Sequence, residues 1–177
     1  MKKLLLPLIL FVVVVFEGTA LNLLPAKIVL GDTFIIPHWA LAVLLYFALF
    51  YDRENTYYSI MYAGIFGLLI DVVYTSVLGV YMFSYAFVIF LVHSIRNRFQ
   101  GNIYVTMLLG IFSIVIADLI IHSIYLAAGL STVAWSSYFG WRLLPTVLLN
   151  LIFLIVLYPF LAGRLERWQK EQLIGNR

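Results

Sequence analysis

Six long apolar stretches separated by short polar breaks leave this chain few ways to fold. They run approximately 4–24, 36–51, 57–75, 79–95, 102–128 and 142–163. A bilayer core of ~30 Å takes roughly 20 apolar residues as a helix, and in hydrocarbon a helix satisfies its own backbone N–H and C=O groups. Of the 177 residues, 64% are hydrophobic and 11% charged, whereas soluble domains are about half apolar and a quarter charged. The expected fold is therefore all-α: a polytopic membrane protein of six transmembrane helices, one integral membrane domain over residues 1–177. The second stretch is short, which suits a span whose Trp39 and Tyr51 sit in the two interfaces. Pro and Gly punctuate most breaks, among them LLPAKIVLGDTFIIPH, TSVLG and AGLSTVAWSSYFGW. The chain has no cysteine, so it has neither a disulfide nor a thiolate metal site.

Basic residues orient the spans. With a cytoplasmic amino terminus, the inner segments hold Lys2, Lys3, Arg53, Arg96, Arg98, Arg164, Arg167, Lys170 and Arg177, and the outer segments hold Lys27 and Arg142. That asymmetry places both termini in the cytoplasm and accounts for the basic charge without nucleic acid. Arg96, Arg98, Arg164 and Arg167 then read as cytoplasmic basic contacts, to anionic membrane lipid or to a partner. The opening MKKLLLPLILFVVVVFEGTA also resembles a secretory signal peptide cut after Ala20. Apolar character resumes at Leu21, which favours a retained first helix; amino-terminal sequencing distinguishes the two.

Ionisable groups at depth cost at least ~2.5–3.5 kcal/mol and generally face a bundle interior with partners. Glu17, Asp71 and Asp118 all lie past the middle of helices that start inside, so they share the outer half. On the last helix Arg142, Thr146 and Asn150 recur every fourth residue, forming a polar stripe that descends ~12 Å. Asp118 and His122 are also four apart. This intramembrane cluster predicts that Arg142 pairs with Asp71 or Asp118. Gly64, Gly67 and Gly110 are small faces for close helix packing, with Gly79 in the outer turn. Asp71 is expected to fix the third helix against the fifth and sixth. His93 and His38 read as interfacial residues.

Signatures of catalysis are missing: there is no G-x-S-x-G, H-E-x-x-H, phosphate loop or dinucleotide fingerprint. Asp118 and His122 are too few for a metal site and have no nucleophile beside them. No catalytic residue, cofactor or metal is expected. An intramembrane acid with a cationic partner also suits a carrier, so a substrate-binding transporter subunit is the main alternative, ahead of a lipid-modifying enzyme.

The segment Gly64-x-x-Gly67-x-x-x-Asp71, followed by Tyr74-Thr75-Ser76-x-Leu78-Gly79-Val80-Tyr81-Met82-Phe83, and the motif Arg142-x-x-Pro145-Thr146-x-Leu148-Leu149-Asn150 together resemble the rod shape-determining protein MreD family. The resemblance covers nearly the whole chain. It implies a non-enzymatic subunit, in the bacterial cytoplasmic (inner) membrane, of the machinery that builds sidewall peptidoglycan. The implied partners are the single-span protein MreC, filaments of MreB, the glycosyltransferase RodA and a class-B penicillin-binding protein. At the level of fold it implies similarity to the substrate-binding subunits of energy-coupling-factor transporters.

Overall fold

The structure is a computed structural model that describes residues 4–23, 35–52, 56–75, 77–96 and 102–174. Among the described residues all regular structure is helical, in six helices. α1 is Leu5–Leu23. α2 is Trp39–Tyr46, widening into a π segment over Phe47–Tyr51. α3 is Tyr58–Tyr74, α4 is Val80–Ile95 and α5 is Ile103–Ala127. α6 opens as Trp135–Tyr138, passes through a π segment Phe139–Leu143 and continues as Leu144–Ile174.

Helix placement follows the apolar runs except at the last one, where 142–163 was expected. There the helix begins at Trp135 and ends at Ile174. At its front, Pro145 has no N–H to give the carbonyl four residues back, and the widened turn immediately before it accommodates that loss. At its back, the tail after Gly163 is rich in Leu, Arg, Glu, Gln and Lys, strong helix formers that carry the helix on.

α2 is the centre of the molecule. It contacts each of the other five helices, and Ala40–Tyr46 are all buried. Its sequence WALAVLLYFALFY has no polar face, the pattern of a helix enclosed by protein. Tyr51 is accordingly 2% exposed, and Trp39 stacks on Phe153 with ring centroids 4.8 Å apart. Tyr51 thus packs inward, correcting the expectation that it anchors a short span at an interface, while Trp39 is half-buried.

The surrounding helices invert the soluble pattern. Phe11, Phe16, Ile65, Val72, Phe83, Phe90, Leu108, Leu148 and Ile152 are exposed, while Asp71, Asp118, His122, Thr146 and Asn150 are fully buried. An outside this apolar needs an apolar solvent. Two helices, Ile103–Ala127 and Trp135–Glu171, are long and apolar enough to cross a membrane; Leu5–Ala20, Trp39–Tyr51, Tyr58–Tyr74 and Val80–Ile95 are shorter apolar helices.

Candidate functional site

Every helix begins with N–H groups that have no partner within the helix. Among the described residues only α5 supplies its own cap, Asn102 accepting from the Val105 N–H at 2.9 Å. At α2 and α4 the residues in the cap position, His38 and Gly79, make no side-chain cap bond. Carboxylates from the preceding helices do the capping instead. Glu17 Oε2 on α1 accepts from the Ala40 N–H at 2.8 Å, and Glu17 also bonds the Trp39 N–H. Asp71 on α3 accepts from three N–H groups at the start of α4: Gly79 at 2.9 Å, Tyr81 at 2.9 Å and Met82 at 3.0 Å. Negative charge at a helix N-terminus is further favoured by the helix dipole.

Reaching α4 requires the two backbones to come close, and Gly67 provides the approach. A Cβ there would lie 2.7 Å from the Met82 Cα and 2.8 Å from the Tyr81 carbonyl oxygen. Gly79 sits at φ +94°, a conformation that spares only glycine strain, and so turns the chain back toward Asp71. Asp71 thus fixes α3 against α4, correcting the expectation that it holds α3 to α5 and α6. Gly110 lies over the Leu154 side chain, with a built Cβ 2.4 Å from its Cδ1. A Cβ on Gly64 would meet nothing within 4 Å, so Gly64 is not a packing contact.

Asp118 is the acid that meets Arg142. The guanidinium Nη2 donates to Oδ1 at 3.1 Å, Tyr138 Oη donates to Oδ2 at 2.6 Å, and His38 Nε2 stands 3.6 Å from Oδ1. Tyr138 and Arg142 are one turn apart on α6, so both reach the same carboxylate. His122 belongs to the same end of the molecule but not to this network. Its ring stacks on Tyr138 with centroids 4.1 Å apart and meets Trp135 edge-on, and among the described residues neither ring nitrogen has a hydrogen-bond partner.

Thr146 and Asn150 have a different task, holding the extended segment that leads into α2. Thr146 Oγ1 accepts from the Ile36 N–H at 3.1 Å, Asn150 Oδ1 accepts from the His38 N–H at 2.7 Å, and Asn150 Nδ2 donates to the Ile36 carbonyl at 3.0 Å. His38, read from sequence as interfacial, is fully buried with Nδ1 2.8 Å from Tyr85 Oη. Its sequence signal was weak, a lone histidine between Pro37 and Trp39. A cavity of about 270 Å³ opens beside these groups, lined in part by Glu17, Ile36, Tyr74 and Tyr81.

At the opposite end Asp52 repeats the capping device. Its Oδ2 accepts from the Ser59 N–H at 2.9 Å and from the Ser59 hydroxyl, closing the start of α3. Burial raises its carboxyl above the ordinary range, with the Ser59 hydrogen bonds opposing. His93 Nδ1 lies 3.7 Å from the same oxygen, and Gln169 Nε2 donates to the Asp52 carbonyl at 2.9 Å. Sequence reasoning missed Asp52, which sits in the DRENT break. Arg96, expected as a cytoplasmic contact, is 7% exposed and donates to the Ala48 carbonyl at 2.6 Å in the last turn of α2, where carbonyls lack helix partners. Arg98 lies outside the described residues, and Arg164 and Arg167 are exposed.

These are the features of an all-helical membrane protein whose buried acids are occupied in joining helices, with no group of three or more metal-ligating side chains among the described residues. The family model for rod shape-determining protein MreD matches residues 2–167, so the chain belongs to that family. A curated relative, the rod shape-determining protein MreD of Bacillus subtilis (strain 168), is 28% identical over 161 residues, covering 90% of this chain and 92% of the relative. No solved structure matches the chain. Membership carries a role in determining rod shape and a membrane location.

Proposed function

We propose that the protein is a non-enzymatic scaffold of the bacterial wall-elongation complex, binding an MreC-like single-span protein and linking RodA-like and class-B penicillin-binding synthases to MreB-like filaments. The observation that carries this reading is the use of the acids. Glu17, Asp52 and Asp71 accept helix N–H groups and Asp118 holds Arg142 and Tyr138, so the carboxylates a membrane enzyme would need are occupied in building the fold. In the proposed arrangement all six helices span the membrane, both termini are cytoplasmic, the Glu17–Asp71–Asp118 end is outer and the Asp52 end is inner. Little of the chain then protrudes, and partners meet it chiefly within or beside the bilayer, as helix-to-helix contacts do. Mild detergent extraction of the tagged full-length chain tests this: the single-span partner and the synthases are expected to copurify, and their absence under conditions that keep the chain folded overturns it.

The cavity beside Glu17 favours a second reading, a substrate-binding subunit similar in fold to those of energy-coupling-factor transporters. A small molecule retained stoichiometrically through purification, together with a separate energising partner, would select it.

A further inference from the structure

The last turns of α6 carry a built cavity that the scaffold reading does not use. Leu161, Arg164, Leu165, Arg167, Trp168 and Glu171 recur at three- and four-residue spacing on one face of the helix, and with Ile9 of α1 they line a cavity of about 390 Å³. Its floor is apolar: Leu165 is fully buried, and Ile9, Leu161 and Trp168 pack against the core. Its rim is basic, with Arg164 and Arg167 exposed.

Depth fixes what can enter. Residues 143–163 contain no charge, and roughly 20 apolar residues cross the hydrocarbon. Arg164 and Arg167 are therefore the first charges met on leaving it, at the level of the headgroups, with Leu161 a turn deeper at acyl-chain level and Leu165 beside Arg164 at the boundary. We propose that this cavity is a binding site for one anionic phospholipid, its phosphate held by Arg164 and Arg167, its glycerol against Leu165, its first acyl carbons against Leu161 and Ile9, and Trp168 beside the headgroup at the interface. Two guanidiniums against the single carboxylate of Glu171 supply the charge complementarity, and a soluble filament offers nothing for the apolar floor. The site rests on the spanning arrangement proposed above but not on any partner. Its test uses the purified chain alone, so a missing complex and a missing lipid are separate results.

The full-length protein in detergent is mixed with phosphatidylglycerol and phosphatidylcholine of matched chains, and retained lipid is counted by native mass spectrometry. The wild type is expected to prefer phosphatidylglycerol by about tenfold, the order two guanidiniums near a phosphate supply. R164Q/R167Q should fall to near parity, R164K/R167K should keep most of the preference, and K170Q, outside the cavity, should keep all of it. Parity in the wild type, an unchanged preference in R164Q/R167Q, or an equal loss in K170Q overturns the site. Should R164Q/R167Q not fold, brominated lipids read the wild type directly. Excess quenching by brominated phosphatidylglycerol over phosphatidylcholine should vanish in W168F, and its persistence there overturns the site.

Discussion

Asp71 and Asp118 are both fully buried aspartates late in their helices, yet they are satisfied in opposite ways. Asp71 is met by backbone: three N–H groups of α4 converge on it, and no side-chain cation approaches it among the described residues. Asp118 is met by side chains: Arg142, Tyr138 and the nearby His38. The difference comes from where the next helix starts. After Asp71 the turn is tight and α4 begins within reach of the carboxylate. After Asp118 the chain runs on to Trp135 before α6 begins, so the acid faces the second turn of that helix, where only side chains project. A backbone-held acid has no substitute partner, whereas a side-chain-held acid can be exchanged together with its partner.

That contrast is open to breaking by mutation. Asp71→Ala strands three N–H groups, each worth about 1–3 kcal/mol when left unmet, and is expected to lower stability by roughly 3 kcal/mol or more in detergent unfolding. No second-site charge change should restore it; the Asp71/Arg142 exchange in particular should give no rescue. Removing one member of the Asp118–Arg142 pair should cost about 2–3 kcal/mol, and the double change D118N/R142Q should recover part of that. A double-mutant cycle should give a coupling of about 1–2 kcal/mol. Additive losses would mean that the pair is not held together. Gly67→Ala forces α3 from the α4 backbone and should cost about 1–3 kcal/mol. Gly64→Ala, on the same helix but facing open space, should be neutral or stabilising by up to about 1 kcal/mol. Equal losses at the two glycines would remove the close α3–α4 approach.

How far the sequence discloses this architecture depends on whether the deciding contact is local. Helix positions are legible as apolar runs, but the central place of α2 is not, because WALAVLLYFALFY, apolar all round, suits a lipid-facing span as well as an enclosed one. That Glu17, Asp71 and Asp118 fall toward one end of the bundle is legible too, since it follows from counting along a helix. Their partners are less so. A carboxylate's preference for a permanent cation suggested Arg142 for either aspartate, but backbone N–H groups at the next helix start carry no sequence signal, and these are what hold Glu17 and Asp71. His38 and Asp52 lie in breaks that look polar and exposed, and tertiary contacts from α6, α4 and Ser59 bury them. Gly64 and Gly67 look alike in spacing, and only the position of α4 separates them.

The central claim, that Asp71 is a structural cap joining α3 to α4, is tested most directly by amide hydrogen exchange at the start of α4. Replacing Asp71 with Asn removes the charge and leaves a single amide oxygen to accept. The prediction is faster exchange, by about tenfold or more, at Tyr81 and Met82, with Val105 at the self-capped start of α5 unchanged. Unaltered protection at Tyr81 and Met82 in the folded D71N protein would contradict the account.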